Sequence, residues 1–338
     1  MQTKLAIVIL NWNGRNYLEK FLPVLKKYNA GYAEIIIADN ASDDESLAFL
    51  AENHPEIKIV RNEQNWGFAK GYNEALKQID AQYYCLLNSD IEVSSNWIDP
   101  IINMMDSDST IAAAQPKLRS YHNRDYFEYA GACGGFLDKL GYPFCRGRLF
   151  ENVEKDEDQY ENVIDIFWAT GAALFVRSEV YHQIGGLDED FFAHMEEIDF
   201  CWRIKNQGHR ILVIPQAVVY HVGGGTLPKN NSRKTYLNFR NNLLLLQKNL
   251  PENRLFITFF CRFFLDNIAA LVFLLKGQPA DFAAVYKAFF GFLKLRKKVK
   301  AKRVGFVKNA FLETYPYSIV FAHYILRKKI FDGRKLKS

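Results

Sequence analysis

The sequence predicts an α/β fold, a mostly parallel sheet flanked by helices, followed by a helical, basic C-terminal region. Short apolar runs alternate with stretches of helical apolar spacing, the pattern of strands buried on both faces and joined through helices. Polar residues stand directly after several of these runs, where an open α/β sheet binds ligands. The charge also divides. Pro251 to Ser338 carry 18 Lys/Arg and 5 Asp/Glu, a net of +13, whereas residues 1–250 are net −8.

Leu5–Leu10 is the first predicted strand, Asn11–Gly14 a turn, and Arg15–Tyr28 a helix with Tyr17, Leu18, Phe21, Leu22 and Leu25 on one side. Glu34–Ala38 is the second strand. It ends at Asp39, and a helix over 45–53 follows, with Ser42 and Glu45 spaced as a capping box. Ile57–Val60 is the third strand, Asn65–Gly71 a loop, Tyr72–Gln78 a helix, and Tyr83–Leu87 the fourth strand. Residues 112–160 are glycine-rich and read as strands and mobile loops. A helix follows over 178–184 and another over 195–207, then strands at Ile211–Ile214 and Ala217–Tyr220 and a glycine-rich exit, His221–Thr226.

Length and composition bound the class. The 338 residues are 49% hydrophobic and 24% charged, which fits one large or two modest domains with real cores. The five cysteines form no CxxC pair, so neither a zinc site nor a disulfide framework is expected. The apolar run after Met1–Lys4 is too short for a signal peptide and lacks a small-residue cleavage pattern.

Four polar signals point to one cleft: Asp39 after a run of isoleucines, Asp90 after Leu86-Leu87, Glu196 and Glu197 at a helix start, and His221 after a strand. Each has a plain alternative as a turn, dipole or core residue. Four at or just past strand ends fit a single site better. A carboxylate there can hold a hard divalent cation, and such a cation holds phosphate.

The motifs Val8–Gly14, Ala38–Asp44, Asn65–Asn73, Leu87–Asp90, Ala169–Ala172, Gly186–Phe192, Glu196–Arg203 and His221–Gly225 occur in the order found in one family. With them the chain resembles a family 2 glycosyltransferase of the GT-A fold, near the bacterial rhamnosyltransferase-like group. The resemblance implies roles. Asp39 hydrogen-bonds the nucleobase of a sugar nucleotide, Asn88 lies near the ribose, and Asp90 ligates Mg²⁺ or Mn²⁺ bridging the diphosphate. His221 is a metal or diphosphate contact. Asn11, Asn65 and Asn73 fall among the donor-binding residues, with Lys70 as an electrostatic contact. Arg240, in Tyr236–Asn242, is a candidate phosphate contact set against a structural ion pair, and Arg146 and Arg148 are candidates to close over the diphosphate or acceptor. Glu196 and Glu197 match the family's Glu-Asp pair, whose second member is the general base; which of the two takes the proton is open. Asn88 stands where an acidic residue is commoner, and Glu197 where Asp is usual.

The expected division is a catalytic domain over 1–242, with a nucleotide-sugar half to about 115 and an acceptor half beyond, and an amphipathic basic tail over 243–338. The expected activity is inverting, metal-dependent transfer from dTDP-rhamnose or a UDP-sugar to a lipid-linked or growing glycan of the cell envelope. The alternative is a non-catalytic sugar-nucleotide or glycan-binding protein on the same fold. Chain positions 256–275 are apolar but contain Arg262, Asp266 and Asn267, and Lys294–Arg303 adds seven basic residues. A charge at the centre of a span costs roughly 2.5–3.5 kcal/mol. A cytoplasmic enzyme lying on the inner membrane surface is therefore expected, against packing on protein or on a second copy in a homodimer. Nucleic acid is not an expected partner.

Overall fold

Strand β1 (Thr3–Asn11) pairs in parallel with β2 (Ala33–Asp39) and β4 (Ala81–Leu87), and β2 pairs in parallel with β3 (Lys58–Arg61). The architecture is that of a computed structural model describing residues 2–223, 231–303 and 305–337. β5 (Ile91–Val93) and β6 (Ile111–Ser120) follow. A small antiparallel sheet comes next, of β7 (Gly135–Leu137), β8 (Pro143–Cys145), β9 (Arg148–Leu149) and β10 (Asn152–Val153). β11 (Ile164–Asp165), β12 (Ala173–Arg177) and β13 (Arg210–His221) complete the main sheet, in the order β11-β13-β6-β12-β4-β1-β2-β3 with β5 on β13.

β12 is antiparallel to both β4 and β6, and β13 is parallel to β6. Consequently β1, β2, β4, β6 and β13 all end on one edge of the sheet. Along β1, Leu5, Ile7 and Ile9 face one apolar layer and Ala6 and Val8 the other, the period of two that a doubly covered strand requires. Helices α1 (Arg15–Lys27), α2 (Ser46–Asn53) and α4 (Asp99–Ser107) cover the first face. On the second face lie α3 (Gly67–Leu76), α5 (Ser178–Gln183), α6 (Glu196–Asn206) and α7 (Ser232–Asn249). The tail adds α8 (Glu252–Leu275), α9 (Pro279–Ala301), α10 (Ile319–Tyr324) and a hairpin of β14 (Ile330–Phe331) and β15 (Leu336–Lys337).

The structure departs from the sequence reading at several points. α3 begins at Gly67, five residues early, because Asn65 Oδ1 accepts from Gly67 N (2.9 Å) and Asn40 Oδ1 accepts from Trp66 N (3.2 Å); Lys70 is therefore helical. The Ser42–Glu45 capping box does not form. The Ser42 hydroxyl donates to Asp39 instead, and Asp44 accepts from Ser46 N at the start of α2. The strands expected at 211–214 and 217–220 are one strand, β13, with a register shift between Ile214 and Val218. Helix α4 is absent from the sequence reading, although Ile98, Ile101, Ile102 and Met105 are spaced helically and buried. Residue 242 falls inside α7, whose Leu243–Leu246 are buried in the core beneath the second face.

Candidate functional site

Asn11 ends β1 directly opposite Asp39 at the end of β2. Asp39 is 2% exposed and accepts from Asn11 Nδ2 (3.2 Å), Ser42 Oγ (2.6 Å) and Ser42 N (3.1 Å). A carboxylate has about four acceptor positions, so one remains for a ligand. Ser42 Oγ also accepts from Asn11 Nδ2 and Asn13 N, which binds the ends of two strands into one polar floor. Asn11 is fully buried, and its Oδ1 has no hydrogen-bond partner among the described residues. Next to this floor, Asn40 donates to Asn65 Oδ1 (2.9 Å) and accepts from Asn62, fastening the start of α3. Lys70 lies over the Trp66 ring, 3.4 Å from its centroid. Asn73 has a different position: its amide bonds Leu187 at both N and O and accepts from Tyr181, so its polar atoms are engaged in holding the turn after α5.

One strand further on, Asn88 N donates to Ala172 O (3.0 Å), fixing the tip after β4 against the start of β12. β5 then pairs with β13 and sets Ile91 opposite His221. The pairing brings Asp90 to His221: Oδ1 to Nε2 is 3.2 Å, and both side chains are buried. On the other side of the ring, Glu128 Oε2 is 3.4 Å from Nδ1. Burial alone would lower the His221 pKa, but Glu128 and Asp90 outweigh it and push it up to about 10. Burial likewise opposes Asp90, and the imidazole holds its carboxyl below the usual range. Glu128 is absent from the sequence reading, lying in an irregular segment whose spacing gives no signal. Gly224, Gly225 and Thr226 of the glycine-rich exit lie outside the described residues.

Glu196 and Glu197 open α6 beside this tip. A Cβ placed on Gly171, next to Ala172, would lie 3.7 Å from Glu197 Cβ and 3.2 Å from the Phe68 ring. Oε2 of each glutamate has no hydrogen-bond partner among the described residues. Glu196 is 5% exposed, whereas Glu197 is only partly buried. Burial raises both carboxyls, Glu197 to about 7, and the Glu197 charge raises Glu196 further. The helix is entered through Phe192, His194 and Met195, all with positive φ, a conformation that costs roughly 1–3 kcal/mol per residue. Asn241, fully buried in α7, shares its amide N–H groups among the carbonyls of Phe191, Ala193 and His194 (2.7–2.8 Å) and so holds this turn. Arg240 donates through Nη2 to Asp190 O and Phe191 O and through Nε to Asn241 Oδ1. Arg146 donates to Cys133 O and Asn162 O, and Arg148 to Tyr129 O; both are buried, Arg146 between β8 and β9 and Arg148 in β9 of the small antiparallel sheet.

Thus one edge of the sheet gathers a polar floor, a carboxylate paired with an imidazole, and two carboxyls that each keep one oxygen without a partner among the described residues. The glycosyl transferase family 2 model matches residues 6–185, more than half of the chain. The chain belongs to glycosyltransferase family 2. This glycosyltransferase is 24% identical over 239 residues to the N-acetylglucosaminyl-diphospho-decaprenol L-rhamnosyltransferase of Mycobacterium tuberculosis, covering 65% of this chain and 76% of that protein. Among solved structures, S. aureus TarS residues 1–349 in complex with UDP-GlcNAc aligns with a TM-score of 0.55 at 14% identity over 93% of each chain. GalNAc-T7 with UDP, GalNAc and Mn²⁺ aligns with a TM-score of 0.58 at 18% identity over 73% of this glycosyltransferase, which spans about half (49%) of that chain. The fold is GT-A, as the resemblance implied.

Proposed function

We propose that this glycosyltransferase moves a sugar, with inversion, from a nucleotide-sugar donor to a lipid-linked or growing glycan of the cell envelope, at the cytoplasmic face of the membrane. The observation that carries the reading is the Asp90–His221 pair just past the end of β4, standing beside Glu197, whose Oε2 has no partner among the described residues, across Gly171 and Ala172. The L-rhamnosyltransferase relative supports a rhamnosyl donor, which we take as dTDP-rhamnose, and a UDP-sugar fits as well, since Asp39 would read a base edge that thymine and uracil share. Residues to about 115 form the donor half and those to about 242 the acceptor half, with the tail built onto the latter through α7.

The residues fit a divalent cation. A buried carboxylate oxygen and an imidazole nitrogen lie together at a strand end, and Mg²⁺ or Mn²⁺ is commonly held by one or two protein ligands plus substrate phosphate. Asp90 and His221 would hold it, the imidazole giving up its Nε2 proton to free that nitrogen for the ion beside Asp90, and when bound it supplies Lewis-acid neutralisation of the departing diphosphate. Asp39 orients the base and Asn88 the ribose. Glu197 takes the proton from the acceptor hydroxyl as that oxygen bonds the anomeric carbon opposite the leaving group. Glu197 suits this role better than Glu196, which is more deeply buried and whose carboxyl is held in its protonated form more strongly.

Two expected results arise here. A base must be ionised, so a Glu197 carboxyl raised to about 7 in the free protein places an acid limb near pH 7 on kcat/KM, with activity falling about tenfold per unit below it. A pH–rate profile flat between 5 and 8 would contradict the assignment. Glu128, behind His221, should orient the imidazole toward the ion, as carboxylates behind ligating histidines do. Glu128→Gln should weaken Mn²⁺ binding roughly 10–100-fold in an electron paramagnetic resonance titration with nucleoside diphosphate present, and Glu128→Asp should recover part of the loss.

A further inference from the structure

α8 is, among the described residues, the one helix long and apolar enough to cross a membrane by length and composition. Its outward face carries Phe256, Phe260, Phe263, Phe264, Ile268 and Leu271, all 52–81% exposed. Between Leu255 and Leu275 the only charged residues are Arg262 and Asp266, and both are turned inward. Arg262 pairs with Asp266 (3.2 Å), donates to Leu140 O (3.2 Å) and to Asn242 Oδ1, and lies over the Tyr142 ring, 4.2 Å from its centroid. Tyr142 in turn donates to Asp266. The charges that weigh against a membrane-facing helix in the sequence are therefore the pins that fasten α8 to the protein, and the face left outside is free of charge.

The same β7–β8 turn holds a second apolar segment. Asp138 accepts from Leu140 N and Tyr142 N, stabilising the turn, and from Ile319 N at the start of α10. α10 and its flanks expose Tyr317, Phe321, Tyr324 and Ile325, all 55–66% exposed, and Arg327, Lys328 and Lys329 follow. α9 packs along α8 through Phe259 and Phe292, and ends in exposed Arg296, Lys297 and Lys300. Lys298 and Lys302 instead pair with Asp190, and Lys302 also with Asp188, so the basic run is divided between holding the catalytic unit and facing solvent.

We propose that the outward face of α8, continued by the α10 segment on the same turn, seats in the headgroup boundary of an anionic phospholipid bilayer, with Arg296, Lys297 and Lys300 against lipid phosphate. An apolar face bordered by exposed basic residues such as Arg296, Lys297 and Lys300 is what such a surface recognises. The proposal rests on the reading that the acceptor is lipid-linked. It gives that reading a docking surface, with the acceptor half pinned to it through Leu140, Tyr142 and Asn242.

The test is flotation of the full chain with vesicles of phosphatidylcholine alone or with phosphatidylglycerol, with light scattering for oligomeric state and donor hydrolysis as an independent reading of the catalytic unit. The expected result is flotation with phosphatidylglycerol vesicles. It should be lost in Phe260→Asp/Phe264→Asp, and at low salt reduced roughly 100-fold in Arg296→Ala/Lys297→Ala/Lys300→Ala, at about fivefold per residue. Donor hydrolysis should be unchanged in both variants. Protein that stays at the bottom of the gradient while hydrolysing donor would overturn the docking surface and leave the transferase reading intact. A stable dimer dissociated by Phe260→Asp/Phe264→Asp, without flotation, would assign the face to a second copy and likewise overturn the proposal.

Discussion

Glu197→Gln is expected to lower the transfer rate roughly 10²–10⁴-fold, the range a positioned general base contributes. The replacement keeps the side-chain volume and removes the carboxylate proposed to accept the proton. Donor affinity should be unchanged, because Glu197 stands beside Gly171 and Phe68 rather than on the polar floor at Asn11, Asp39 and Ser42. Steady-state kinetics should therefore show the loss in kcat with little change in donor KM. Glu196→Gln should have a smaller effect, since a carboxyl already held in its protonated form loses little when made an amide. The reverse ranking of the two variants would move the base to Glu196.

Asp90→Ala is expected to lower donor turnover by about 10³-fold or more. Charge stabilisation by a bound divalent ion is worth several kcal/mol, and each 1.36 kcal/mol is tenfold. The substitution also leaves His221 facing Glu128 alone, so the imidazole loses one of its two carboxylate neighbours. Raising the Mn²⁺ concentration should recover little of the loss, because the missing oxygen is the one at the strand end. A variant that turned over donor at the wild-type rate, and stayed sensitive to chelator, would place the ion elsewhere.

Much of the cleft can be read from the chain, because its polar residues follow strands whose apolar runs are unmistakable. Asp39 follows Ile35–Ile37 and Asp90 follows Leu86-Leu87, and parallel pairing carries both to one edge. Other features depend on pairings between distant segments. Glu128 reaches His221 only because β13 lies beside β6, ninety-odd residues apart in the chain. Asn73 and Arg240 look like donor contacts in sequence; in the fold the Asn73 amide bonds Leu187 and Tyr181, and Arg240 Nη2 bonds the 190–191 carbonyls, contacts that the sequence does not signal. The residue next to Arg240, Asn241, holds the left-handed turn that presents Glu196 and Glu197, and no periodicity marks it. In the tail, the i,i+4 spacing of Arg262 and Asp266 is plain. Their inward direction is decided by Leu140, Tyr142 and Asn242, on other elements.

The most direct test of the central claim, metal-dependent chemistry on a nucleotide sugar at Asp90, is donor hydrolysis across a panel of dTDP-, UDP- and GDP-sugars, with Mn²⁺, Mg²⁺ or EDTA, for the wild type and Asp90→Ala. The account predicts nucleoside diphosphate release from one donor, dTDP-rhamnose or a UDP-sugar, abolished by EDTA and in the variant. Release that persists in EDTA and in Asp90→Ala, or the absence of any nucleotide binding, would contradict it.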